Sequence, residues 1–145
     1  MQKISGLWVS NAPWANTGYG TQTKQVVSRM VADGHAVAVA ANYGLEATQT
    51  NIDGIEVFPK GMDAYSNDVV FPYFVDWKRQ HPDAKPYVFT LYDCWVFQGP
   101  KWDEMPVVSW VPIDHTPVPP KVAQFLAKDN VRPVAMSKFG ADQLT

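Results

Sequence analysis

Residues 3–34 constrain this chain more than any other stretch. An apolar run at 4–9, Ile-Ser-Gly-Leu-Trp-Val, has the length and content of a buried strand. A loop follows at 11–20, holding Pro13, Gly18 and Gly20. Residues 21–33 then carry Val26, Val27, Met30 and Val31, which share one face of a helix. Thr21 or Thr23 can cap its start. Gly34 stands where a helix ends in a left-handed turn. The valine- and alanine-rich run at 36–41 reads as a second buried strand. Strand, helix and strand within so short a span imply a right-handed parallel crossover. The free N–H groups at the helix start, behind a loop with few side chains, favour an anion or a polar ligand.

The same alternation continues. Residues 45–54 are mostly polar and read as loop, and 55–59 as a short strand at an edge. The cluster Ser66-Asn67-Asp68 opens a helix over 69–80, with Val70, Phe74 and Trp77 at helical spacing. Pro72 is compatible with it only in the first turn. Residues 87–92, Tyr-Val-Phe-Thr-Leu-Tyr, are the clearest strand of the chain. An aromatic loop fills 94–106, a strand 107–113, a helix 121–129 and a short strand 134–136. Ser137 caps a last helix that opens at Lys138. The pattern predicts one α/β domain over 1–145, a doubly wound and mostly parallel sheet. Ligands bind such sheets beyond the carboxyl ends of the strands. The stretches 11–20, 93–97 and 114–117 are expected to gather there.

Composition excludes several classes. The net charge is −2, so no basic field exists to hold nucleic acid or anionic lipid. No apolar run is long enough to span a bilayer, and Gln2-Lys3 leads into a strand rather than a signal peptide. Cys94 is the one cysteine, which rules out an internal disulfide and suits a reducing compartment. These features point to a cytoplasmic protein with no membrane span and no nucleic-acid partner. Loop aromatics, among them Trp14, Tyr19, Trp95 and Trp102, either stiffen loops and fill the core or wall a concave site.

The chemistry narrows further. Gly18-Tyr19-Gly20 is G-x-G, but Thr23 stands where a dinucleotide fingerprint has its third glycine. The second strand ends at Ala40-Ala41-Asn42, with no acid for a ribose diol. No phosphate-cradling G-x-x-x-x-G-K-[ST] and no G-x-S-x-G nucleophile elbow occur. Asp93, at a strand end, either caps a turn or faces ligand. Ser10-Asn11 occupies the place where a phospho-acceptor site needs an acidic pair. Asp114-His115 is the most chemical pair, since a histidine at a strand end can exchange a proton with a ligand. The alternative is a buried histidine bonded to backbone. His35 and His81 are expected away from this cleft, Cys94 as a packed thiol, and no metal site is expected.

In combination these segments resemble a known family. The N-T-G-Y-G loop after the first strand, Leu91-Tyr-Asp-Cys-Trp-Val, Val111-Pro-Ile-Asp-His-Thr-Pro-Val-Pro and Ala135-Met-Ser-Lys-Phe-Gly follow one another as in the N-terminal, Rossmann-like domain of GT-B glycosyltransferases. The similarity is to the retaining family 4 type and its phage and archaeal relatives, from Lys3 to Leu144. It implies a sugar moved from a nucleotide-sugar donor to a hydroxyl acceptor across a cleft between two domains, with no cofactor and no metal. On this resemblance His115 and Asp114 are the catalytic candidates. Gly18, Tyr19, Gly20, Asp93, Trp95, Ser137 and Lys138 are the substrate- or donor-binding candidates. The C-terminal donor domain is absent from these residues, so the chain alone is expected to be inactive and to expose a face that can self-associate. The alternative is a free-standing nucleotide- or sugar-binding module. A third reading is an interaction domain that presents Trp14 and Trp102.

Overall fold

The computed structural model describes residues 2–46, 48–113 and 116–144. Seven strands form one sheet: β1 (Ile4–Asn11), β2 (Ala36–Tyr43), β3 (Thr50–Ile52), β4 (Ile55–Phe58), β5 (Lys85–Leu91), β6 (Val107–Val111) and β7 (Val131–Ala135). The helices are α1 (Gly18–Ala32), α2 (Val70–Gln80), α3 (Pro120–Leu126) and α4 (Lys138–Gln143). The strand order is β3-β4-β2-β1-β5-β6-β7, and every pairing is parallel except β3 with β4. The chain runs outward from β1 on one side, then returns and runs outward from β5 on the other. The order reverses between β1 and β5, as in sheets that take ligands at that point.

Strand alternation divides the core into two layers. Leu7 and Val9 of β1, Ala38 and Ala40 of β2 and Val88 of β5 face one layer. It is closed by Val70, Phe74 and Trp77 of α2 and by Val122, Phe125 and Leu126 of α3. Trp8, Val37, Val39 and Leu91 face the other layer, packed with Val27 of α1. The sheet is therefore covered on both faces, which is why β1 and β2 read as continuous apolar runs.

Several boundaries moved, each for a local reason. Helix α1 starts at Gly18, not at 21, because Thr17 is its N-cap and Thr17 Oγ1 accepts the Gly20 N–H at 3.0 Å. Gly18-Tyr19-Gly20 is therefore the first helical turn and not a loop. Thr23 does not cap; it is buried and its hydroxyl accepts the Trp8 indole N–H at 3.0 Å. Strand β3 lies inside the stretch read as loop. Its three residues are all exposed, so no hydrophobic pattern marks it. The available signal was Asp53-Gly54, both at positive φ (51° and 83°), a two-residue hairpin turn that joins β3 to β4. β7 starts at Val131, three residues before the expected start, with Pro133 tolerated because β7 is an edge strand. The aromatic loop contains two short 3-10 helices, Cys94–Val96 and Pro100–Glu104. Other expectations hold: Gly34 is left-handed at φ 89°, Pro72 lies in the first turn of α2, and Ser137 Oγ accepts the Gly140 N–H at 3.1 Å.

Candidate functional site

The site is built where β1, β2 and β5 end. A bulge interrupts the β1–β2 ladder: Ser10 pairs with Ala41 but Asn11 with Tyr43, so Asn42 opposes no residue of β1. Bulges re-aim side chains. Asn42 is nearly buried, and its Oδ1 accepts the Ser66 hydroxyl at 2.9 Å. Ser10 Oγ donates to the Leu91 carbonyl at 2.9 Å, which ties β1 to β5 at the reversal. Asn11 donates through Nδ2 to Thr17 Oγ1 at 2.9 Å and accepts the Tyr92 hydroxyl at Oδ1. One asparagine thus joins the start of α1 to the end of β5.

Tyr19 and Tyr92 meet edge-to-face at 5.2 Å. Burial pushes the Tyr92 phenol up to about 12, so it stays protonated and serves as a hydrogen-bond donor at neutral pH. Tyr65 lies close enough to add to that shift, and its ring meets Trp95 at 6.1 Å. The rim is therefore aromatic rings interleaved with neutral amides and hydroxyls.

Gly18 and Gly20 divide in role. Neither has a positive φ. A Cβ on Gly18 would meet nothing within 4 Å, and Gly18 is exposed, so its backbone is open to a ligand. A Cβ on Gly20 would overlap the Ala15 carbonyl oxygen and lie 3.1 Å from the Ala12 carbonyl oxygen. Gly20 is required by packing, and its N–H is already taken by Thr17.

The chain matches no family model, no curated protein and no solved structure.

The predicted site residues separate into groups. Gly18, Tyr19, Gly20, Asp93 and Trp95 stand at the reversal, in the segments that follow β1 and β5. Asp93 precedes the 3-10 helix at Cys94–Val96 and makes no side-chain bond that caps it. Ser137 and Lys138 follow β7, two strand spacings beyond β5, about 10 Å along the same rim. Lys138 pairs with Asp142 of its own helix at 3.0 Å, and Ser137 is engaged as the α4 cap. Asp114 and His115 lie outside the described residues. Among the described residues, no three His, Cys, Asp or Glu side chains gather as metal ligands would.

Three other expectations resolve. Cys94 is fully buried and burial pushes its thiol up to about 12, so it is a packed, unreactive group. His35 accepts the Ile4 N–H at the opposite end of the sheet, and His81 packs on Trp77. Trp102 is buried, so it is not a presented contact residue, whereas Trp14 is 41% exposed. No helix of the described residues is long and apolar enough to cross a membrane.

Asn67, Tyr65, Asn42 and Tyr92 were not picked out by sequence reasoning. Asn67 is the hub. Its Nδ2 donates to Asp63 Oδ2 (2.9 Å) and the Val96 carbonyl (3.0 Å), and its Oδ1 accepts from Gln98 N (3.0 Å) and Trp102 Nε1 (2.8 Å). Every hydrogen-bonding capacity of the amide is filled across three segments. An asparagine before a helix reads as a cap, and no local pattern distinguishes that role from this one.

Proposed function

We propose that this chain is the acceptor-side domain of a GT-B sugar transferase of the retaining family 4 type. The observation that carries the reading is the strand order, reversing between β1 and β5 with the open first turn of α1 and the Asp93–Trp95 turn on either side. Such a reversal is a ligand crevice. In this reading a nucleotide-sugar and a hydroxyl acceptor meet above it. The exposed Gly18 backbone approaches the donor, and His115, with Asp114 beside it in sequence, stabilises charge that develops at the transferred sugar. The donor nucleotide is held by a second domain, which supplies the opposite wall and excludes water.

The test is turnover. The 145-residue chain is expected to release no nucleotide from a panel of nucleotide-sugars at ordinary enzymatic rates. The protein with a second α/β domain supplied is expected to release it in an acceptor-dependent way. His115→Ala and Gly18→Val should each depress that release; if both leave it unchanged, the site assignment fails.

A free-standing binding module is the second reading. It is favoured by the polar side chains there being engaged within the fold rather than with a reacting group: Asn11 with Thr17 and Tyr92, and Asn67 with Asp63, Val96, Gln98 and Trp102. Ligand binding without turnover in any context would select it.

A further inference from the structure

Trp95 is the side chain that the fold does not explain. It is 45% exposed, one residue from the fully buried Cys94. The indoles of Trp8, Trp14, Trp77 and Trp102 donate to Thr23, Gly44, Ala36 and Asn67. The indoles of Trp95 and Trp110 make no hydrogen bond among the described residues, but Trp110 is packed against the core beside Trp8, whereas Trp95 is turned outward. Its ring meets Tyr65 at 6.1 Å, with 67° between the ring planes. It also lines a depression of about 380 Å³, together with Gln98, Gln124 and Lys121. Ligand sites begin at roughly 300 Å³, so there is room for a sugar ring or two.

The platform is held rigidly. The Trp95 turn and the Tyr65 loop are bolted together by Asn67, which binds Val96 and Gln98 on one side and Asp63 on the other. Asp63 also takes the backbone N–H of Tyr65 at 3.0 Å and of Asn67 at 3.1 Å. Asp68 takes those of Met62 and Asp63. Two exposed rings are therefore presented without loop entropy left to lose on binding.

We propose that the groove beside Trp95 seats a carbohydrate, so that the hydroxyl acceptor is itself a sugar. The chemistry is specific. The faces of a pyranose ring carry C–H groups that suit an aromatic platform, and its edge carries hydroxyls that need both donors and acceptors. Gln98 and Gln124 provide both in one side chain. Of the two lysines at the groove, Lys128 is committed to Asp103 at 2.5 Å, which leaves Lys121 as the cation at its edge. One cation beside two amides and a tryptophan fits a neutral polyol better than a phosphate cradle. The word acceptor rests on the transferase reading; the seat itself rests on Trp95.

The experiment is an NMR titration of the folded chain, following the Trp95 indole N–H in the natural sequence and the side-chain amides of Gln98 and Gln124 in it and in every variant. The probes are maltotriose, cellotriose and chitotriose, each run beside inorganic phosphate and uridine diphosphate. At least one oligosaccharide is expected to shift the Trp95 signal at millimolar concentration. Trp95→Ala should weaken that binding about tenfold or more, Trp95→Phe less, and Trp14→Ala not at all. The thermal midpoint of each variant confirms that it is folded. No response to any of the three sugars, a response only to phosphate or the nucleotide, or equal loss in Trp14→Ala overturns the proposal. The two readings fail separately. Sugar binding without donor turnover removes the transferase and keeps the seat. Turnover onto a non-carbohydrate hydroxyl, with Trp95 silent, does the reverse.

Discussion

Gly18 and Gly20 are two residues apart in one helical turn, yet they answer to different constraints. Gly20 packs against the Ala15 and Ala12 carbonyls, so a methyl group there forces the 12–17 turn to shift. Gly18 has open space above it and a helical φ, so nothing in the folded chain requires glycine. Gly20→Ala is expected to destabilise by about 1–3 kcal/mol through overpacking. Gly18→Ala should stabilise by about 0.5–1 kcal/mol, because alanine loses less backbone entropy in a helix. Urea unfolding of both variants checks the pair; a destabilised Gly18→Ala would overturn the assignment of Gly18 as free of packing constraint. The sequence offered both glycines as one motif. What separated them was the path of the preceding turn, which no spacing rule encodes.

At the scale of elements, the connection between β4 and α2 is the informative one. It has no regular structure, but Asp63, Asp68 and Asn67 fasten it to itself and to the turn that carries Trp95. The Asn67 backbone N–H, and next that of Tyr65, hold the Asp63 carboxyl below its ordinary range. A carboxyl whose pKa is lowered by folding contributes stability above its unfolded value. That contribution is lost as pH falls through the folded value. The unfolded value is about 4. The thermal midpoint of the natural protein should therefore exceed that of Asp63→Asn at pH 6–7, with the gap closing below about pH 4. A constant gap down to pH 3 would show that the carboxylate charge is not what braces the loop. Ser66-Asn67-Asp68 was legible as a helix start, and α2 does begin just beyond it. Its side chains instead brace a loop, because Val69, and not one of them, occupies the N-cap position.

Across the whole molecule, one sheet carries two apolar layers, so disrupting either layer disrupts the same strands. Trp102→Ala in one layer should cost about 3–5 kcal/mol, and Leu91→Ala in the other about 2–5 kcal/mol. Both should lower a single transition seen alike by far-ultraviolet circular dichroism and by tryptophan fluorescence. Separate transitions for the two variants would mean that the layers unfold independently. The polar crevice at the β1–β5 reversal sits between these layers at one end of the sheet, where backbone groups leave the ladder and side chains can take their place.

The amino-acid sequence by itself determined the alternation of strands and helices, the parallel α/β class, the two-faced burial of β1 and β2, and the stretches that stand at strand ends. Hydrophobic periodicity and turn residues are local, and local rules read them. Only the tertiary structure decided the strand order, the bulge that frees Asn42, the different obligations of Gly18 and Gly20, and the bracing of Trp95 by Asn67. Each depends on contacts between residues far apart in the chain, and one side chain such as Asn67 satisfies whatever polar groups the fold happens to bring within reach.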